Sequence, residues 1–183
     1  ALFQKMAEHI ISLDSLDEFT AQSLSNIVWA CATSGESHPS LFVKIADAAF
    51  SRQNEFTSQG IVNFLWGYAS NGQIDRILFL SFVPTVKAML AGFNRQELAN
   101  IAWIYAVANM SAPSLFNDNF IESILKKEEN EFTLEALVQL HQWQLWQGEI
   151  KSDITLPESL RMKCYEAFTS QDLRPSKFQD DVV

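Results

Sequence analysis

Apolar positions along this chain recur at helical spacing, and one arrangement of them returns three times. Phe19-Thr20-Ala21-Gln22-Ser23-Leu24-Ser25-Asn26-Ile27-Val28-Trp29 comes back as Phe56-Thr57-Ser58-Gln59-Gly60-Ile61-Val62-Asn63-Phe64-Leu65-Trp66, and again as Phe93-Asn94-Arg95-Gln96-Glu97-Leu98-Ala99-Asn100-Ile101-Ala102-Trp103. The copies lie 37 residues apart, and a decayed copy starts at Phe132, 39 further on, with Gln139 where Asn stood. A second marker, Leu-Phe, recurs at Leu2-Phe3, Leu41-Phe42, Leu78-Phe79 and Leu115-Phe116. On a wheel of about 100° per residue, Leu24/Ile27/Val28/Cys31, Ile61/Phe64/Leu65/Tyr68 and Leu98/Ile101/Ala102/Tyr105 each form one apolar stripe. No alternation of strand type competes with it.

Punctuation divides each unit into two helices. Thr20, Thr57, Asn94 and Thr133 stand as N-caps between a preceding Phe and an apolar residue four positions on, the hydrophobic-staple arrangement; Asn94-x-x-Glu97 adds a capping box. Gly35, Gly72 and, in the decayed copy, Gly148 predict the end of the first helix. Pro39, Asp75 or Pro113 predicts the start of the second, and Pro84 predicts a kink or break inside it. Paired helices at this period predict an all-α chain, an α-solenoid of stacked helix pairs with a period of about 37 residues. The expected divisions are 1–18, the second half of an earlier repeat; 19–55, 56–92 and 93–131, three helical hairpins; and 132–183, a degenerate capping repeat with further helices. Because the chain opens on Ala1 in mid-repeat, it reads as a piece of something longer.

A second stripe lies opposite the first. Gln22/Asn26/Trp29, Gln59/Asn63/Trp66 and Gln96/Asn100/Trp103 repeat in all three clear copies. Two readings of this stripe stay open. As a ligand face, amides read base edges or a peptide backbone while indoles stack. As packing, the same groups join one repeat to the next. Positions that vary between copies, Ser23/Gly60/Glu97 and Ser25/Val62/Ala99, are the other candidates for reading a ligand.

Composition narrows the chemistry. The 183 residues carry 13 Lys+Arg and 22 Asp+Glu, a formal charge of −9, which argues against a free-standing nucleic-acid clamp. The charge is uneven: net −3 over residues 1–18, zero over 19–110 and −6 over 111–183. A run such as Lys126-Lys127-Glu128-Glu129 reads as a solvated helix face. Cys31 and Cys164 make neither a disulfide scaffold nor a metal site, and a reducing compartment is the expectation. Cys31, on the core stripe, reads as a buried hydrophobe. No apolar run reaches the roughly 18 residues a membrane span needs. His9, His38 and His141 share no repeat position and pair with no Cys or carboxylate at ligand spacing, and a structural hydrogen bond is expected for His141. Phosphate-loop, zinc-protease, hydrolase and protein-kinase motifs are absent. Glu128, Glu129, Glu131 and Glu135 read as a charged helix end. No enzyme activity, cofactor, metal or small-molecule substrate is expected.

The pattern Phe-x-x-Gln-x-Leu-x-Asn-Ile-x-Trp-x-x-Ala, seen best from Phe93 to Ala106, resembles the octotricopeptide repeat of algal organelle proteins. It is also similar to the helical-repeat region of FAST kinase-like and RAP-domain proteins. The stretches Leu140–Trp146, Leu156–Leu160 and Arg174–Gln179 resemble the segment that leads into a RAP domain, which itself is missing. The resemblance implies a role in mitochondria or chloroplasts on single-stranded organelle RNA: stability, processing or translation. It also admits a scaffold in an organellar ribosome or other large assembly, with protein partners. Net neutrality over 19–110 implies weak RNA binding by this piece alone, since phosphate neutralisation normally supplies much of the affinity. If Lys44, Arg52, Arg76, Lys87 and Arg95 gather beside Asn26, Asn63 and Asn100, direct RNA binding gains; if they scatter, the scaffold gains.

Overall fold

The protein was analysed as a computed structural model, which describes residues 2–35, 38–126 and 132–170. Among the described residues the chain is all-α, with nine α-helices, two single 3-10 turns and no strand. The helices are α1 (Leu2–Ser12), α2 (Ala21–Ser34), α3 (Pro39–Ala49), α4 (Ser58–Ser70), α5 (Arg76–Ala88), α6 (Arg95–Val107), α7 (Asp118–Leu125), α8 (Leu134–Glu149) and α9 (Glu158–Ser170). None is long and apolar enough to cross a membrane.

The helix starts follow the side chains that cap them. Thr20, Thr57 and Thr133 hydroxyls accept from the backbone N–H three residues on, at 3.0–3.1 Å. Asn94 accepts from Glu97 N–H, and the Glu97 carboxylate accepts from Asn94 N–H, both at 2.8 Å, which completes the capping box. Each such cap is worth about 1 kcal/mol. Asp75 caps α5 in the same way, and Pro39 opens α3 at its first position.

Three expectations about boundaries are corrected. Helix α7 begins at Asp118, not near Pro113. The Ala112 carbonyl accepts from Leu115 and Phe116 N–H in a separate turn, and Asn117 Oδ1 caps the helix that follows. Helix α8 runs through Gly148, and the left-handed residue that ends this stretch is Lys151 (φ 55°). Helix α5 continues to Ala88 through Pro84 without the break that is one of the two alternatives there, and Phe82, Val83, Thr85 and Val86 are buried on either side of the missing N–H. The left-handed stops that do fall as expected are Gly35 and Gly72, and Asn109 (φ 50°) takes the same place in the third copy.

Helices α2, α4, α6 and α8 lie side by side, each against the next, while α3 rests on α1 and α2 and α9 on α8. Helices α2 and α4 approach closely where small residues face each other. Ser25 Oγ donates to the Gly60 carbonyl at 2.7 Å, and a Cβ placed on Gly67 would lie 2.5 Å from Val28 Cγ1 and 3.1 Å from its carbonyl. The core stripes of α2, α4 and α6 point into a chain of edge-on and tilted aromatic contacts. Phe42, Phe64 and Phe82 surround Tyr68 and Phe56; further on, Phe79, Tyr105, Phe116, Phe120 and Trp143 continue it.

Two buried phenols act as struts. Tyr68 Oη donates to the Phe42 carbonyl, and Tyr105 Oη to the Phe79 carbonyl, both at 2.7 Å. Burial, which for Tyr68 is reinforced by the Asp75 and Asp47 carboxylates, raises both phenol pKa values and keeps the donors protonated. Cys31 is buried at the corresponding place in the first copy. Tyr68→Phe and Tyr105→Phe are each expected to lower unfolding free energy by about 1 kcal/mol, because each removes a buried hydrogen bond. Urea unfolding of both variants checks this; unchanged midpoints would mean the struts add nothing net.

Candidate functional site

The Gln/Asn/Trp stripe is not uniform along the row of helices. In the first copy Gln22, Asn26 and Trp29 are all exposed, Trp29 at 46 %. In the second, Gln59 is exposed while Asn63 and Trp66 are half-buried, with Trp66 packed against the core. In the third, Gln96, Asn100 and Trp103 are half-buried and bonded. Gln96 Nε2 donates to Asn100 Oδ1 at 3.1 Å and to Gln139 Oε1 at 3.0 Å, and the Thr133 hydroxyl donates to Gln96 Oε1. Trp103 Nε1 donates to Gln142 Oε1 at 2.8 Å. Gln139, the residue that replaced Asn in the decayed copy, also donates to Glu135 Oε1 at 3.3 Å.

The physical difference lies in the neighbouring helix. Between α6 and α8 the facing residues are long amides, which reach across and tie the stripe down. Between α2 and α4 the contact passes through Ser25 and Val28 onto Gly60 and Gly67, beside the stripe, and Trp29 stays at the surface. The expected single face pointing away from the core therefore divides into a packing seam at Gln96, Asn100 and Trp103 and an open end at Gln22, Asn26 and Trp29.

Three of the basic residues of the neutral middle, Lys44, Arg52 and Arg95, are engaged by other groups. Lys44 Nζ donates to the Ile11 carbonyl at 2.8 Å and to the Leu13 carbonyl, closing the end of α1. Arg52 pairs with Glu55 at 2.7 Å, and that bond holds the Glu55 carboxyl below its ordinary range. Arg95 lies 4.6 Å over the Phe132 ring and donates to the Ile124 carbonyl at 3.4 Å. Arg76 and Lys87 are exposed near the two ends of α5. The other charges behave as a solvated surface: Lys126 pairs with Glu122 at 2.7 Å, while Lys127, Glu128, Glu129 and Glu131 lie outside the described residues. Arg174–Gln179 lies outside them as well.

His9, His38 and His141 belong to different elements, and no group of metal-ligating side chains occurs among the described residues. For His141 the expected hydrogen bond is not seen at Nδ1, which is buried without a partner; the ring stacks 4.7 Å from Phe168 and 5.9 Å from Tyr165 instead. Burial lowers its pKa, and burial pushes the Cys164 thiol up to about 11, away from the thiolate a nucleophile needs. No family model, curated protein or solved structure matches the chain.

Sequence reading passed over one surface. Val43, Phe50 and Ile77 are large apolar residues exposed on α3 and α5. They sit outside both repeated stripes, which is why periodicity hid them.

Proposed function

We propose that this chain is a stretch of an α-solenoid, stacked helix pairs at a period of about 37 residues, that serves an organellar RNA factor as its interaction scaffold. The hairpins at 19–55, 56–92 and 93–131 are its units, with 132–183 as the capping end. The observation that carries the reading is where the positive charge goes. Lys44, Arg52 and Arg95 are engaged in closing helix ends, pairing with acid and covering an aromatic ring, so they support the stack rather than a phosphate track. The organellar setting, mitochondrion or chloroplast, and the link to RNA rest on the resemblance of the repeat. Partners of the described part are proteins of a large assembly, an organellar ribosome among them.

Direct contact with single-stranded RNA is the second reading, and one observation favours it. Gln22, Asn26 and Trp29 are exposed together on α2, an amide–indole set suited to a stacked base. Titration of the chain and of Trp29→Ala with a labelled single-stranded RNA, at low and at physiological salt, separates the two. The scaffold reading expects weak binding at low salt, a loss of at least tenfold at physiological salt, and no effect of Trp29→Ala. Binding that survives physiological salt and falls tenfold in a folded Trp29→Ala chain would replace it with the second reading.

A further inference from the structure

The last turn of α3 and the first turn of α5 leave a groove of about 270 Å³ lined by Ala46, Asp47, Phe50, Asp75, Ile77 and Leu78. Two of its apolar walls stand open: Phe50 is 48 % exposed and Ile77 69 %. Val43, 62 % exposed, extends the α3 wall, since Val43, Asp47 and Phe50 share one helix face at spacings of four and three. Val43 and Phe50 are thereby set about 10 Å apart along α3. The groove is acidic: its two charged lining residues are carboxylates, and Arg76 is the nearest base in sequence, on the exposed side of the α5 terminus.

The repeat itself gives a second, independent reason to regard this groove as particular. The capping and core-stripe positions recur at 37, whereas Ile77 and Asp47 do not. Ile77 is answered by Ser40 and Ser114 and Asp47 by Pro84 and Ile121, while Phe50 is answered by Lys87 in the next copy and by Leu13 and Ile124 beyond it. Burial cannot explain the apolar choices either, because Phe50 and Ile77 are exposed. An apolar pair beside two carboxylates, in one position of the stack, matches an occupant that is apolar on one side and positive at its margin.

We infer that this groove docks a basic amphipathic α-helix of a partner protein, with an apolar side chain seated between Phe50 and Ile77 and a Lys or Arg directed at Asp47 and Asp75. The inference rests on the scaffold reading and names its partner class. Val43 and Phe50, about 10 Å apart along α3, match apolar residues two turns apart on a docked helix, and no sheet edge to seat an extended strand occurs among the described residues. Asp75 keeps its Oδ1 on the Leu78 N–H as the α5 cap, so Asp47 is the carboxylate available to change without loosening a helix.

The test uses a synthetic Leu/Lys amphipathic helical peptide, a Leu/Glu version of it, and a scrambled Leu/Lys control. Each is titrated against the full chain by fluorescence anisotropy, with methyl NMR reporting where it binds. The expected result is a preference for the Leu/Lys helix, with shifts at Val43 and Ile77. Ile77→Ser should weaken binding about tenfold, as loss of an anchor does. Asp47→Asn should weaken it about threefold at low salt, an effect that fades at high salt. Both substitutions are at exposed positions, and circular dichroism confirms that the fold is kept. Equal affinity for the scrambled peptide, or unaltered binding in Ile77→Ser, would overturn the groove. Peptide shifts confined to another face would overturn the groove while leaving the scaffold reading intact.

Discussion

Trp143→Ala is expected to destabilise the chain by roughly 3–5 kcal/mol, while Trp29→Ala shifts it by no more than about 0.5 kcal/mol. Trp143 has no exposed surface and lies against Phe116 and Phe120, with ring centroids at 5.5 and 5.9 Å. Truncating it opens a cavity where α7 meets α8. Its indole Nε1 is buried without a partner, so Trp143→Phe should cost less than truncation: the ring is kept and the stranded donor removed. Urea unfolding of the three variants provides the measurement. If Trp29→Ala proved as damaging as Trp143→Ala, the exposed end of the amide–indole stripe would have to be packing after all.

Gly67→Ala is expected to lower stability by about 1–2 kcal/mol, against the usual direction for a helix interior. Alanine gains up to about 1 kcal/mol over glycine in helical propensity, but overpacking costs about 1–3 kcal/mol. The new methyl would meet Val28 Cγ1 at 2.5 Å and the Val28 backbone at 3.1 Å, and backbone does not turn aside as a side chain does. Adding Val28→Ala to Gly67→Ala should recover only part of the loss, since the carbonyl contact remains. Thermal or urea unfolding of the single and double variants checks both statements. A stabilised Gly67→Ala chain would show that α2 and α4 stand farther apart than the glycine implies.

What could be read before the coordinates was local. Thr20, Thr57, Asn94 and Thr133 bond to N–H groups three residues away, so their roles are written in adjacent residues. The helical stripes followed from spacing alone. Gly35 and Gly72 mark stops because glycine is the cheap residue for positive φ, whereas Asn109 and Lys151 take the same conformation without that signal. Pro113 misled because the turn from Ala112 to Phe116 satisfies its own backbone before α7 begins. The stripe of Gln, Asn and Trp was legible as a pattern but not as a surface. Gln96 and Trp103 are tied across to α8 because Gln139 and Gln142 face them from a helix some 40 residues on. The groove beside Ile77 was hidden for the opposite reason: it is a departure from the repeat, visible only once α3 and α5 are set side by side.

The tyrosine struts have a consequence for how the stack comes apart. Tyr68 ties α4 to the carbonyl of Phe42 in α3, and Tyr105 ties α6 to that of Phe79 in α5. Each strut crosses the point where one sequence unit ends and the next begins. Each bond therefore couples one sequence unit to the next, in addition to the packing of α2 on α4 and of α6 on α8. A cut or an insertion placed at the Phe56 or Phe93 boundary, tidy on paper, would fall between the two ends of one of these bonds.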